Sequence, residues 1–272
     1  MIGAGAVLVS GILLAGGSGI VVERCVVDVA GLHADLNGLR IVQLTDFHSS
    51  RVGSLEVAAL SAARDLAPDL VAFTGDLTVH PEVARQLSAS MVGLAPPLGC
   101  YAVMGNAEYA GDAEAVARAM TDAGMIVLRN EGRTVRRGDG ELWVLGVDDP
   151  STGRSFLEGA LLGLRGDEAT PRVLLAHFPT VFPQAVHWGI DVVLAGHTHG
   201  GQIVLTGSRP MGSMGSEELD KYLRGDFRSG TTWMHVSRGV GTSKIPLRLG
   251  SPPEVTLITL RSAEGTARRL LP

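Results

Sequence analysis

The feature that most constrains this chain is a repeated punctuation: short, largely apolar runs, each broken off by a residue able to ligate a metal or carry a proton. Residues 39–45 end in Asp46 and His48. Residues 70–74 run into Gly75-Asp76, and residues 100–104 into Gly105-Asn106. Residues 173–176 stop at His177, and residues 192–195 at Gly196-His197-Thr198-His199. Runs of this length read as buried strands. Between them, residues 54–66 place Leu55, Ala58, Ala59, Ala62 and Leu66 on one helical face before Pro68. Residues 81–94 open with proline at the first turn, and residues 112–123 run from a capping Asp112 to Gly124. Strands alternating with helices point to an α/β domain. In open α/β sheets ligands gather outside the carboxyl ends of the strands, where this sequence puts its polar residues.

The second half is richer in strands, expected at residues 142–147, 173–176, 192–195, 202–205, 232–237 and 254–260. Residues 207–230, dense in Gly, Ser and charge, read as one long loop. With no internal repeat and no Gly/Ser/Pro linker, one domain over residues 21–272 is the economical reading. Ahead of it, residues 1–20 form an apolar leader without a charged side chain. At 1.5 Å per residue that leader is about long enough to cross a ~30 Å hydrocarbon layer. It lacks the basic start of a secretory signal, so a membrane-associating segment is preferred over a cleaved signal or a buried element. Arg24 beside Glu23 sets no orientation. The net charge of −5 over 272 residues, with no Lys/Arg stripe, argues against a nucleic-acid partner. Cys25 and Cys100 are too far apart in sequence for a CxxC motif and read as small apolar fillers.

Asp46, His48, Asp76, Asn106, His177, His197 and His199 mix nitrogen and oxygen donors, which suits Zn, Fe, Mn or Co better than Ca. Singly, each has an ordinary reading: a loop cap at Asp46 and His48, a turn residue at Asn106, a satisfied core histidine at His177. Together they exceed one tetrahedral ion and suit two ions sharing a carboxylate. Two-metal hydrolases hold their ions about 3.5–4 Å apart and clamp a transferring phosphoryl group between them.

Asp46-Phe47-His48, Gly75-Asp76, Gly105-Asn106 and Gly196-His197-Thr198-His199 resemble, in order and spacing over residues 39–201, the signature of the calcineurin-like metallophosphoesterases. The Gly-His-Thr-His-Gly-Gly-Gln form is similar to a bacterial, often membrane-anchored branch, as are residues 147–150, 237–243 and 252–257. That branch includes phosphodiesterases and proteins similar to UDP-2,3-diacylglucosamine diphosphatase. The resemblance implies a four-layer α/β/β/α sandwich. It implies two divalent cations, one held by Asp46, His48, Asp76 and His199 and the other by Asp76, Asn106, His177 and His197, with Asp76 bridging. Asp46, Asp76 and Asn106 thereby count among the catalytic residues. The implied substrate is a phosphorylated small molecule or a lipid-linked phosphate ester.

The chain departs from that pattern at one place. Where the family carries Gly-Asn-His followed by an acid, this sequence reads Gly105-Asn106-Ala107-Glu108. The lost histidine is the one to which the family assigns proton donation to the leaving group or stabilisation of developing charge. A general acid is worth about 10²- to 10⁴-fold, or ~3–5 kcal/mol, so reduced activity is expected. Arg238 is placed either on a substrate phosphate or in a surface ion pair. Glu108 reads as an orienting or a solvated turn residue, and His33, His80, His187 and His235 as structural. A lipid-linked nucleotide diphosphatase and a non-catalytic metal- and phosphate-binding protein stand as alternatives.

Overall fold

The computed structural model describes residues 13–14, 19–162, 170–204 and 216–263. Its strands form two sheets. The first contains β1 (Leu13–Leu14), β2 (Val21–Val29), β3 (Arg40–Leu44), β4 (Leu70–Thr74), β5 (Cys100–Val103), β6 (Ile126–Val127) and β13 (Glu254–Ser262). These seven strands lie in the order β1-β2-β13-β3-β4-β5-β6. The second contains β7 (Glu131–Arg137), β8 (Gly140–Gly146), β9 (Arg172–Leu175), β10 (Val192–Ala195), β11 (Gly225–Ser229) and β12 (Thr232–Val236). Its six strands lie in the order β11-β12-β10-β9-β8-β7. β3, β4 and β5 run parallel to one another, as do β8, β9, β10 and β12.

Alternation along these strands builds the layers. Ile41, Leu70 and Tyr101 meet Val144, Leu175 and Leu194 between the sheets. Val42, Val71 and Phe73 face the other way, onto Ala59 and Ala63 of α1 (Ser54–Asp65), Leu87 of α2 (Pro81–Val92) and Met120 of α4 (Ala113–Asp122). On the far side, Leu145, Leu174 and Val193 pack with Ala160 of α5 (Leu157–Leu162) and Phe182 of α6 (Phe182–His187). The result is a four-layer α/β/β/α sandwich. Burying both faces of each sheet explains why the strands read as continuous apolar runs. Gln43 is one polar exception. Fully buried between the sheets, its Nε2 donates to Thr74 Oγ1 at 3.0 Å and to the Ala195 carbonyl at 2.9 Å, linking the sheets just below their carboxyl edges.

Several expectations need correcting. Residues 202–204, the described part of the strand expected at 202–205, do not form one: Gln202 sits at φ 48, and Ile203 makes only an isolated bridge to Leu249. The 207–230 loop is partly ordered into α7 (Glu217–Lys221) and β11, which pairs antiparallel with β12; residues 205–215 lie outside the described set. β6, β7 and the short helices α3 (Asn106–Tyr109), α5 and α6 carry too little apolar periodicity to be read from sequence. Most of the apolar leader, residues 1–12 and 15–18, also lies outside the described residues. Leu13 and Leu14 pair with Val22 and Val21. No helix among the described residues is long and apolar enough to cross a membrane.

Candidate metal centre

The parallel strands of both sheets end on the same side, and their terminal turns interlock. The turn after β3 lies along the turn after β4, with Asp46, His48 and Ser49 donating their N–H groups to the carbonyls of Gly75, Asp76 and Leu77, each at 3.0 Å. From the other sheet, His197 N donates to Asp46 Oδ2 at 3.1 Å. Asp46 (φ 54), His48 (φ 46), Asp76 (φ 58), His197 (φ 71) and His199 (φ 51) all adopt left-handed backbone. Such conformations cost non-glycine residues ~1–3 kcal/mol each and persist where surrounding structure over-determines them. Close approach requires Gly75 in particular: a Cβ there would lie 2.7 Å from His177 Nδ1 and 2.9 Å from Gly105 N.

Asp46, His48, Asp76, Asn106, His177, His197 and His199 are brought together at these turns. Asp46, His48 and His199 form one cluster and Asp76, His177 and His197 another, the donor atoms of each within 4.8 Å of one another. In the first, His48 Nε2 and His199 Nε2 are 3.0 Å apart, and His199 Nε2 is 3.4 Å from Asp46 Oδ1. In the second, His177 Nε2 lies 3.2 Å from both His197 Nδ1 and Asn106 Oδ1. One oxygen joins the two clusters: Asp76 Oδ2 is 3.2 Å from His48 Nε2 and 3.2 Å from His177 Nε2. Convergent ring nitrogens and carboxylate oxygens in a largely buried site are a donor set suited to borderline divalent cations.

The charges bear on which atoms carry protons. Burial opposes a charged His177, but Asp76 and Asp46 beside it and hydrogen bonds to Asp76 and the Thr74 carbonyl outweigh that and raise it to about 10. Burial and the neighbouring His177 push His197 down to about 3. Burial also pushes His199 down to about 4, with His48 and Arg248 adding to the effect against Asp46. Neutral imidazoles with free lone pairs are the form a cation requires, and a cation at His177 Nε2 would take the place of its proton.

Two residues that sequence reasoning missed or left open hold this arrangement. Glu108 is 1% exposed. One of its oxygens accepts from Gly105 N at 2.7 Å and Asp76 N at 3.1 Å, and the other from Leu77 N at 2.5 Å and Thr78 N at 3.2 Å. Its carboxylate thereby ties the β4 turn to the β5 turn. Burial and the Asp76 charge push it up to about 7, a cost that these N–H donors offset. Nothing in the local sequence points to Arg248. It donates to the carbonyls of Gly241, Arg238, Ser251 and His199, and its Nη2 lies 3.1 Å from His199 Nδ1. Arg238 makes ion pairs with Glu23 at 2.6 Å and Glu254 at 2.7 Å and is 15% exposed, so of its two expected places it takes the ion pair, largely buried rather than at the surface.

Ala107 follows Asn106 at the start of α3, half-buried, and its N–H donates to Asp76 Oδ1 at 2.7 Å. Its methyl offers no proton. Beside His177 opens a cavity of about 180 Å³ lined by Val147, Asp148, Ala176, Phe178, Thr180 and Gln184. Phe178 stacks on His197 with ring centroids 3.7 Å apart, forming an apolar wall next to the donors.

Residues 39–201 match the calcineurin-like phosphoesterase family. The chain is 32% identical over 233 residues to the uncharacterized metallophosphoesterase YkuE of Bacillus subtilis, covering 83% of this chain and 80% of that protein. It is 28% identical to the phosphodiesterase YaeI of Escherichia coli, with coverage of 81% and 82%. A transmembrane protein with a metallophosphoesterase domain from Danio rerio is 33% identical over 256 residues; this chain spans 87% of itself and 56% of that protein. Among solved structures, TT1561 of Thermus thermophilus superposes with a TM-score of 0.50 at 13% identity, over 75% of this chain and 91% of that one, a likeness of fold.

Proposed function

This chain belongs to the calcineurin-like phosphoesterase family and is a phosphoric ester hydrolase, and on that footing we propose that its twin clusters hold two divalent cations and cleave phosphodiesters. Asp46, His48, Asp76 and His199 would hold one ion and Asp76, Asn106, His177 and His197 the other. The observation that carries this is the single Asp76 oxygen facing both His48 and His177 at 3.2 Å. Bound there, the ions supply Lewis-acid polarisation of the phosphoryl group and activation of water.

The chain's own residues set the rest. Glu108 fixes the Asp76 and Asn106 turns relative to each other. Thr45 Oγ1 donates to Asp46 Oδ2 at 2.8 Å, leaving Oδ1 directed at His199 and His48. The cavity beside His177 receives one arm of the ester. Ala107 gives the leaving group no proton, so substrates whose leaving group departs as a stable anion are favoured. The name of the Escherichia coli relative supports a diester.

The test is hydrolysis of bis-p-nitrophenyl phosphate by metal-stripped protein reloaded with Mn²⁺. Turnover that Asp76→Asn abolishes supports the two-ion reading. Silence from protein with cation bound overturns it in favour of non-catalytic phosphate recognition.

A second reading, an amphiphilic or lipid-linked substrate, is favoured by one surface feature. Ile245, Leu247 and Leu249 are 54%, 52% and 47% exposed. Gln202 of the Gly-His-Thr-His-Gly-Gly-Gln run tethers this ridge, its Nε2 donating to the Ser243 and Ile245 carbonyls at 3.1 and 2.8 Å. Arg248, between the apolar residues, turns inward to His199. We further propose that residues 1–20 associate with a membrane, which their apolar composition supports. Faster turnover of a long-chain than a short-chain phosphodiester, lost when Ile245 and Leu247 become Ser, is the expected result.

A further inference from the structure

Away from the strand-end clusters, Cys25 on β2, Asp226 on β11 and His235 on β12 form a third group whose donor atoms lie within 4.8 Å of one another. The three come from both sheets and meet at the edge of the sandwich. Cys25 Sγ is 4.0 Å from His235 Nδ1 and 3.9 Å from Asp226 Oδ1, and Nδ1 is 2.7 Å from that same oxygen. Cys25 and His235 are 7% and 3% exposed, while the Asp226 side chain is 19% exposed and marks the way in.

We propose that Cys25, Asp226 and His235 form a separate binding site for a thiophilic divalent cation of the zinc class, with an open fourth position toward solvent. Zn–S near 2.3 Å and Zn–N and Zn–O near 2.0–2.1 Å, at tetrahedral angles, require S···N of about 3.6 Å and N···O of about 3.4 Å. Both sulfur edges therefore close by ~0.4 Å and the nitrogen–oxygen edge opens by ~0.7 Å, within reach of side-chain rotation. Binding displaces two protons, one from the thiol and one from Nδ1.

What separates this group from a chance meeting of polar side chains is the far side of the imidazole. His235 Nε2 lies 2.8 Å from Glu254 Oε1, so it can donate there while Nδ1 ligates. Glu254 is itself fixed: Thr256 Oγ1 donates to it at 2.6 Å and Arg238 pairs with its other oxygen at 2.7 Å. A carboxylate behind the imidazole, held by its own partners, is the usual support of a metal-bound histidine. Cys100 is the contrast. It is equally buried, but it touches only the Met91 carbonyl and the helix-facing core, the setting of a structural filler.

The site can be read independently of activity because the centre at the strand ends contains no sulfur ligand. Metal-stripped full-length protein is titrated with Co²⁺ and followed by near-ultraviolet absorption. A thiolate-to-cobalt charge-transfer band is expected in the parent and in Cys100→Ala, and lost in Cys25→Ser. Cys25→Ser should also retain one fewer zinc ion per chain after dialysis. Its circular dichroism and its hydrolysis of bis-p-nitrophenyl phosphate should match the parent, which separates loss of the site from loss of the fold. A parent protein without the band, or a band removed by Cys100→Ala and kept in Cys25→Ser, overturns the proposal and leaves His235 as an ion-paired imidazolium.

Discussion

Restoring a histidine at position 107 should change which substrates are cleaved more than it changes cleavage as a whole. The site tolerates the change: Ala107 is half-buried at the start of α3, and its contact with Asp76 is made by the backbone N–H, which any residue keeps. The helix-propensity cost of Ala→His is at most ~0.7 kcal/mol. The hydroxyl nearest in sequence, on Tyr109, does not serve instead. That hydroxyl donates to Asp148, accepts from Arg129 Nη2 at 3.1 Å, and is pushed up to about 12 by burial and the Asp148 contact. A new general acid adds about 10²- to 10⁴-fold, ~3–5 kcal/mol of barrier, only where the leaving oxygen must be protonated as the bond breaks. The assay is kcat/KM for Mn²⁺-loaded parent and Ala107→His over phosphodiesters graded from nitrophenol to simple alkanol leaving groups. The gain should be below ~10-fold for nitrophenolate and reach the general-acid range for the alkanol. One constant factor across the series would refute the argument, because a substrate-positioning effect does not depend on leaving-group basicity.

Glu108→Gln should cost at least ~2 kcal/mol in urea unfolding and weaken Mn²⁺ binding ~10- to 100-fold, since the amide turns a donor toward N–H groups on one side; parent-like values in both would remove Glu108 from its tying role. Arg248→Met should cost ~2–4 kcal/mol by removing the donor to the Gly241, Arg238 and Ser251 carbonyls, and a loss under ~1 kcal/mol in the same assay would count against that. For His235, burial opposes the charge, but hydrogen bonds to Asp226, Cys25 and Glu254 hold the imidazolium well above its ordinary range. A raised folded value contributes stability that is complete below about pH 6.5 and lost as pH climbs through the folded value. In cation-free protein the His235→Gln penalty should therefore be largest near pH ~6 and shrink at higher pH; a penalty that grows with pH would contradict the assigned charge.

The sequence made the strands that carry chemistry legible because each is buried on both faces and ends abruptly in a polar residue. β4 is buried from Leu70 through Thr74 and gives way at once to Gly75-Asp76. β7 was invisible for the opposite reason. Its Glu-Gly-Arg-Thr-Val-Arg-Arg text is that of an edge strand with Val135 as its buried residue. Glu108 and Arg248 owe their roles to chain segments far away in sequence, Asp76–Thr78 for one and His199 for the other, and no local pattern encodes such meetings. The partners of Arg238 were hidden on similar grounds: Glu23 and Glu254 are distant in sequence and become its neighbours through the parallel pairing of β2 with β13. The left-handed backbone at Asp46, His48, Asp76, His197 and His199 was equally hidden, since aspartate and histidine in these conformations are imposed by the fold.

That backbone says something about how the centre is assembled. The first cluster takes Asp46 and His48 from one sheet and His199 from the other; the second takes Asp76 from one and His177 and His197 from the other. Neither cluster exists until the sheets dock, and docking brings buried histidines and aspartates together in strained turns. Gln43 and the Asp46–His197 hydrogen bond align the two halves but do not neutralise the charge gathered there. Asp76 illustrates the consequence. With His48 and His177 on either side, its carboxyl is held well below the usual carboxylate range despite burial. Protons on the histidines are the compensation available to the protein by itself, and only His177, at about 10, is strongly disposed to hold one, whereas His197 and His199 are pushed the other way. Bound cations would answer both demands at once, supplying positive charge to Asp46 and Asp76 and accepting lone pairs from imidazoles that resist protonation. On the two-cation reading proposed above, cation affinity and sheet docking would be parts of one free energy, which would offset the strain at the ligand-bearing turns.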